Sequence, residues 1–192
     1  MITDVEDITV VTAYYHLFNE VFFFHTLTGR CTIQLTSWNS LTCKAPEQFG
    51  HIKNKIQSSH WLGLNKKLQR LFTIQIYVDE HQERKRRLTE CLGTLLHEMV
   101  HGFLYCWICT DGLCQENVKK QEMMGLTDHG YIFLDIGYAL QNAVRDPKFL
   151  GLEDFSVNLS ESVMMETDVS GDEILKHLER WGLEMLFEYR DT

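Results

Sequence analysis

His97, Glu98 and His101 stand in the order His-Glu-Met-Val-His inside the apolar run Leu95 to His101. On a helix, residues four apart share a face. Two imidazoles at that spacing can therefore reach one cation, while the carboxylate between them lies about 100° round the axis. This is the zinc-peptidase arrangement, in which ring nitrogens hold the metal and the Glu acts as general base. Leu88, Leu92, Leu95, Leu96, Met99, Val100, Phe103 and Leu104 recur at helical spacing, which describes a largely buried helix. Two histidines and a carboxylate in its apolar middle are costly to bury unless something satisfies them, and a metal ion does so. The plain alternative is a core helix whose histidines hydrogen-bond to neighbours.

A catalytic zinc usually keeps three protein ligands and an open fourth position, so a third ligand must lie elsewhere in the chain. Six residues beyond His101 stands Trp107, which removes the compact third-histidine spacing. His129 is the leading candidate. It sits in Gly125-Leu126-Thr127-Asp128-His129-Gly130-Tyr131, directly before an amphipathic stretch with Ile132, Phe133, Ile136, Leu140 and Ala143. Glu116 and Glu122 are the carboxylate alternatives. A second, smaller metal site is conceivable at Cys106, Cys109 and Cys114, a Cys-x2-Cys-x4-Cys run. A structural zinc needs four ligands, so Cys91 or a nearby His would have to complete it; otherwise these are ordinary buried or loop thiols.

The elements that must position these groups are partly legible. Val10 to Phe24 reads as a helix, free of Gly and Pro. Thr32 to Leu35 and Thr73 to Val78 alternate in the manner of strands, whereas Cys43 to Gln69 supports no assignment. Asp79 with Gln82 signals a helix start ahead of the metal helix. Ser170-Gly171-Asp172-Glu173 is a capping box, and Ile174, Leu178, Trp181 and Met185 follow at helical spacing, so a helix from about Gly171 to Tyr189 is expected to pack on the domain. The expected fold is α+β: a small antiparallel sheet packed against helices, with a zincin-like core and the motif on a buried helix. Residues 1–150 form the expected catalytic domain and 151–192 an acidic extension.

Taken together, His97-Glu98-Met99-Val100-His101, the later His129-Gly130 with its aromatic-rich helix, the opening Leu17-Phe18-Asn19-Glu20-Val21-Phe22-Phe23 and the strand Thr73 to Val78 resemble the SprT-like (Spartan-type) metallopeptidase domain. The likeness covers roughly residues 10 to 145. It implies one catalytic zinc ion on His97, His101 and His129, Glu98 as general base, peptide-bond hydrolysis, and DNA-associated or DNA-crosslinked proteins as substrates. Asp128 stands where the family usually has Gly. In zinc peptidases of this kind an edge strand beside the metal helix can hold an extended peptide, and Leu71 to Val78 is the candidate. The alternative function is a non-catalytic zinc-binding scaffold or interaction module; Glu98 favours catalysis, because a closed structural site has no use for a base.

Composition agrees with a folded domain: 192 residues, 44% hydrophobic, with only two Pro. Of the net charge of −9, residues 151 to 192 carry −8, from 3 basic and 11 acidic side chains. In the nearly neutral remainder, Arg84-Lys85-Arg86-Arg87 could meet DNA phosphates, although such a run is equally a solvated face. Met1 to Asp7 lacks the basic and apolar regions of a signal peptide, and no run reaches the 18 apolar residues of a membrane span. The expectation is an intracellular protein, nuclear or cytoplasmic, with reduced thiols and no membrane partner.

Overall fold

A strand with apolar residues at every second position needs a hydrophobic layer on one side only. Phe72, Ile74, Ile76 and Val78 are buried in turn along β3 (Leu68–Val78), whereas Leu71, Thr73, Gln75 and Tyr77 between them keep partial exposure. The computed structural model describes residues 3–37, 50–58, 68–107, 124–170 and 174–184. In it β3 is the middle of three strands, flanked by β1 (Cys31–Ser37) and β2 (Gly50–Ser58) in the order β1-β3-β2. β1 runs parallel to β3, with Ile33 opposite Ile74 and Leu35 opposite Ile76; β2 runs antiparallel, with Ile52 opposite Ile74.

Two expectations are corrected by this topology. The sheet is mixed rather than antiparallel, since alternation looks the same in either direction and only the path of the chain decides it. Leu71 to Val78 is no edge either, because both sides of β3 are paired, and the edges among the described residues are β1 and β2. On the polar face Lys53 donates to Gln75 at 3.0 Å and Gln75 to Thr36 at 2.9 Å, tying all three strands.

The chain divides into two compact units, Met1–Cys106 and Trp107–Thr192, so the charge boundary near residue 150 falls within the second. In the first, α1 (Thr3–Val21) packs against β1 and buries Val11, Tyr15 and Phe18. It starts earlier and ends sooner than the apolar pattern predicts. Buried Asn19 organises the reversal that follows: its Oδ1 accepts the Leu27 N–H at 3.0 Å and its Nδ2 donates to Thr28 Oγ1 at 2.9 Å.

α2 (Arg84–Trp107) opens on the basic cluster, an unfavourable place for cations given the positive N-terminal end of the helix dipole. Asp7 of α1 offsets this. Its Oδ2 accepts Arg87 Nη2 at 2.7 Å and Nε at 3.0 Å, and its Oδ1 accepts Arg84 Nε at 3.0 Å. Arg87 is only 5% exposed, so it is withdrawn from the phosphate-binding face that the run of charges suggested.

β2 lies against α2 at two glycines. A Cβ on Gly102 would meet Ile52 Cδ1 at 3.3 Å, and one on Gly50 would meet Thr94 Cγ2 at 2.5 Å and the Gln75 carbonyl oxygen at 3.0 Å. Neither obstacle at Gly50 yields easily, because a helical Thr is stiff at χ1 and the other atom is backbone. Gly50→Ala is therefore expected to lower the unfolding free energy by about 1–3 kcal/mol, the usual range for overpacking, read as a lower urea midpoint at unchanged slope.

In the second unit, α3 (Tyr131–Arg145), α4 (Leu159–Ser170) and a 3-10 helix (Ile174–Trp181) pack on one another. α4 has no counterpart in the sequence reading. Within 174–184, the described part of the helix expected from Gly171 to Tyr189, the chain forms the short 3-10 helix instead. Ile174, Leu178 and Trp181 are buried as the stripe required, while residues 171–173 and Met185 lie outside the described residues. Gly182 takes φ 62 and the Leu183 N–H returns to the Leu178 carbonyl, a glycine stop that ends the helix at Trp181. Asp135 of α3 anchors that end, accepting Trp181 Nε1 at 3.0 Å and pairing with Arg180.

Candidate metal centre

His97 and His101 lie one turn apart on α2, and their Nε2 atoms face each other at 3.2 Å. Zinc–nitrogen bonds of 2.0–2.1 Å at tetrahedral angles place two ligand nitrogens about 3.3–3.4 Å apart, so this pair already has a chelating geometry. The rings meet edge to face at 5.0 Å, and Tyr105, a further turn along, stacks on His101 with centroids 6.3 Å apart. Glu98 is buried, and loss of solvent alone pushes its carboxyl up to about 8. A cation nearby would favour the ionised form and draw that value down again.

The segment Met124 to Gly130 of the second unit presents His129. Gly125 at φ 78 and Asp128 at φ 63 both use left-handed backbone, which is why Gly is suited to the place Asp128 fills; Asp tolerates that conformation better than most residues. The segment is tied to α4. Glu166, 2% exposed, accepts the backbone N–H groups of Leu126 at 2.8 Å and Thr127 at 2.9 Å, and the Thr127 hydroxyl at 2.6 Å. Thr127 Oγ1 in turn lies 3.1 Å from His129 Nδ1. A Cβ on Gly125 would stand 2.5 Å from the Glu166 carboxylate. His129 packs edge-on against Phe133, with centroids 4.8 Å apart at 87°. Burial lowers its pKa to about 4, opposed in part by the Glu166 charge and the Thr127 backbone, so the ring is neutral at physiological pH. A neutral ring is the form that binds metal.

His97, His101 and His129 each offer one ligand nitrogen, and these nitrogens lie within 4.8 Å of one another. The trio singled out in the sequence is thus close enough to hold one ion. Glu116, Glu122, Cys109 and Cys114 lie outside the described residues. Cys106 approaches Arg30 Nη1 at 3.8 Å and is felt electrostatically by Cys31 and Tyr15. Cys91 cannot join it in one site. The two are fifteen residues apart on the same helix, about 22 Å at 1.5 Å per residue, and the charges felt by Cys91 are those of Asp7, Arg87 and Glu90.

Set against family models, curated proteins and solved structures, the chain matches none of them. Three neutral imidazoles suit zinc, copper, nickel or ferrous iron, and the acid one residue beyond the first of them is placed in sequence as a base would be. No helix among the described residues is long and apolar enough to cross a membrane. Thr127 and Glu166 were not found in the sequence. Thr127, two residues before a candidate ligand, carries a weak signal as a side-chain hydrogen-bonding partner. Glu166, 37 residues beyond His129 in an acidic segment, carries none.

Proposed function

We propose that the chain is an intracellular zinc-dependent endopeptidase of the SprT-like kind, with one catalytic zinc on His97, His101 and His129 and Glu98 as general base. The observation that supports it most is the mutual approach, within 4.8 Å, of three histidine nitrogens, two of them from the helix that also carries a buried Glu. His97, His101 and His129 would hold the ion as three neutral ligands, and zinc so held would keep its full charge and supply Lewis acidity. Glu98 takes the proton from the attacking water and hands it to the leaving amine. Burial holds the carboxyl above its usual range, and a cation beside it would favour the ionised form that accepts the proton. His129 needs no deprotonation before it binds.

The substrate main chain pairs with the outer edge of β2 in this reading, replacing the role first given to β3. Among the described residues β2 is an edge strand, and its Gly50 lies beside α2, 3.5 Å separating a Cβ built there from Glu98 Oε1. An extended peptide added there is held by main-chain hydrogen bonds close to the base. Proteins bound or crosslinked to DNA are the proposed substrate class, and this rests on the likeness to SprT-like domains. With Arg87 committed to Asp7, Lys85 and Arg86 are the more exposed cations left in the cluster for phosphate contact.

Metal content by plasma mass spectrometry tests the reading. One zinc per purified wild-type chain is expected and none on His101→Ala, with cleavage of an unfolded protein substrate, or self-cleavage with and without DNA, lost in parallel. A wild-type chain that holds no metal would end the peptidase reading, and one that holds zinc without cleaving would leave the scaffold alternative in its place.

A further inference from the structure

A ring nitrogen binds metal only through its lone pair, so a histidine ligand must carry its proton on the other nitrogen. For His129 the surrounding hydrogen bonds decide which nitrogen that is. Thr127 has one hydroxyl proton and two acceptors within reach, Glu166 at 2.6 Å and His129 Nδ1 at 3.1 Å. The shorter contact is to a carboxylate that already accepts two backbone N–H groups, and an ionised carboxylate only accepts. The Thr127 proton therefore points to Glu166. The Thr127 oxygen is left as an acceptor, which His129 satisfies by donating from Nδ1–H.

We propose that Glu166 is a positioning residue for the third metal ligand, acting through the Thr127 hydroxyl to hold His129 as the Nδ1–H tautomer with Nε2 as its ligand atom. The same carboxylate pins the backbone of residues 126 and 127, so it sets both where the ring stands and which nitrogen it presents. Gly125 is part of the device, because a side chain there would displace the carboxylate. The outer partners of metal-binding histidines are usually a carboxylate or a carbonyl bonded directly to the ring; here the Thr127 backbone acts on the ring directly, and the carboxylate reaches it through the Thr127 hydroxyl. The segment beyond residue 150 thereby serves the site, as α4 supplies the carboxylate.

This assignment rests on the zinc reading above, and the test separates the two. Zinc affinity is measured by competition with a chromogenic chelator, and the Co2+-substituted protein is followed by its visible absorption. Thr127→Val keeps the side-chain volume and the two backbone bonds to Glu166 but removes the hydroxyl. It is expected to weaken zinc binding 10- to 100-fold, with an altered cobalt spectrum and unchanged melting of the metal-free protein. Thr127→Ser restores the hydroxyl and is expected to bind within about threefold of wild type. Glu166→Gln is expected to lose affinity at least as far as Thr127→Val, since its amide no longer offers an acceptor-only group. Wild-type affinity and spectrum in Thr127→Val would overturn the relay while leaving the zinc site standing. A wild-type chain that binds neither zinc nor cobalt would overturn both.

Discussion

Glu98→Gln is expected to keep its zinc and to lose about 100- to 10,000-fold in peptidase rate, the span usually supplied by a positioned general base. The amide matches the carboxylate in shape, so the helix and its two histidines are undisturbed, but it takes no proton from water at any working pH. The loss should appear in kcat, since in the proposed mechanism Glu98 acts on the reacting water rather than on the bulk of the peptide. Glu98→Ala is a poorer probe, because it opens a void at a side chain only 4% exposed. Cleavage at the wild-type rate by a Glu98→Gln protein shown to contain stoichiometric zinc would remove Glu98 from the reaction.

Asp7→Ala is expected to destabilise the first unit by about 3–5 kcal/mol, the range for removing one partner of a buried ion pair. Asp7 and Arg87 side chains are 4% and 6% exposed and share two hydrogen bonds, so truncation strands a guanidinium away from water with, among the described residues, the Gln82 carbonyl left to it at 3.1 Å. Cys91, which feels both charges, lies in the same neighbourhood. Urea unfolding of the metal-free protein is the measurement, with a lowered midpoint at constant slope as the expected result. A change below about 1 kcal/mol would mean that Arg87 finds solvent or another acceptor once Asp7 is gone. The second measurement is independent of the first, as Glu98→Gln addresses chemistry and Asp7→Ala the anchoring of the helix that carries it.

Much of the site was legible because its residues obey short-range rules. Spacings of one and four residues on a helix fix which side chains share a face, and the apolar residues around them identify a buried helix, so α2 and its two histidines follow from local pattern. β3 announced itself by alternation for the same reason. Strand direction and order did not, as no local term distinguishes a parallel neighbour from an antiparallel one; β2, with Gly50, His51, Lys53, Asn54 and Lys55 among its nine residues, lacks the apolar alternation that marks strands and is held by pairing with β3. The basic cluster misled in another way. Four adjacent cations suggest a charged surface, but successive residues on a helix point some 100° apart, so Arg87 turns inward to Asp7 while Arg86 pairs with Glu90 on the outside.

The amino-acid sequence by itself determined the chemistry on offer: two imidazoles and a carboxylate one turn apart on a buried helix, with a third histidine at the threshold of another. These are decided by covalent order and helical geometry, which act over a few residues. Tertiary structure alone decided that β3 is paired on both sides, whereas β2, an edge among the described residues, is the strand that brings Gly50 beside Glu98. It alone decided that Asp7 neutralises the start of the metal helix, and that Glu166, 37 residues beyond His129, reaches its ring through Thr127. Each of these joins groups far apart in the chain. Such contacts form only when burial of the surrounding apolar residues offsets the entropy of closing the loop between them, and no local pattern in the sequence records which of the many possible closures is taken.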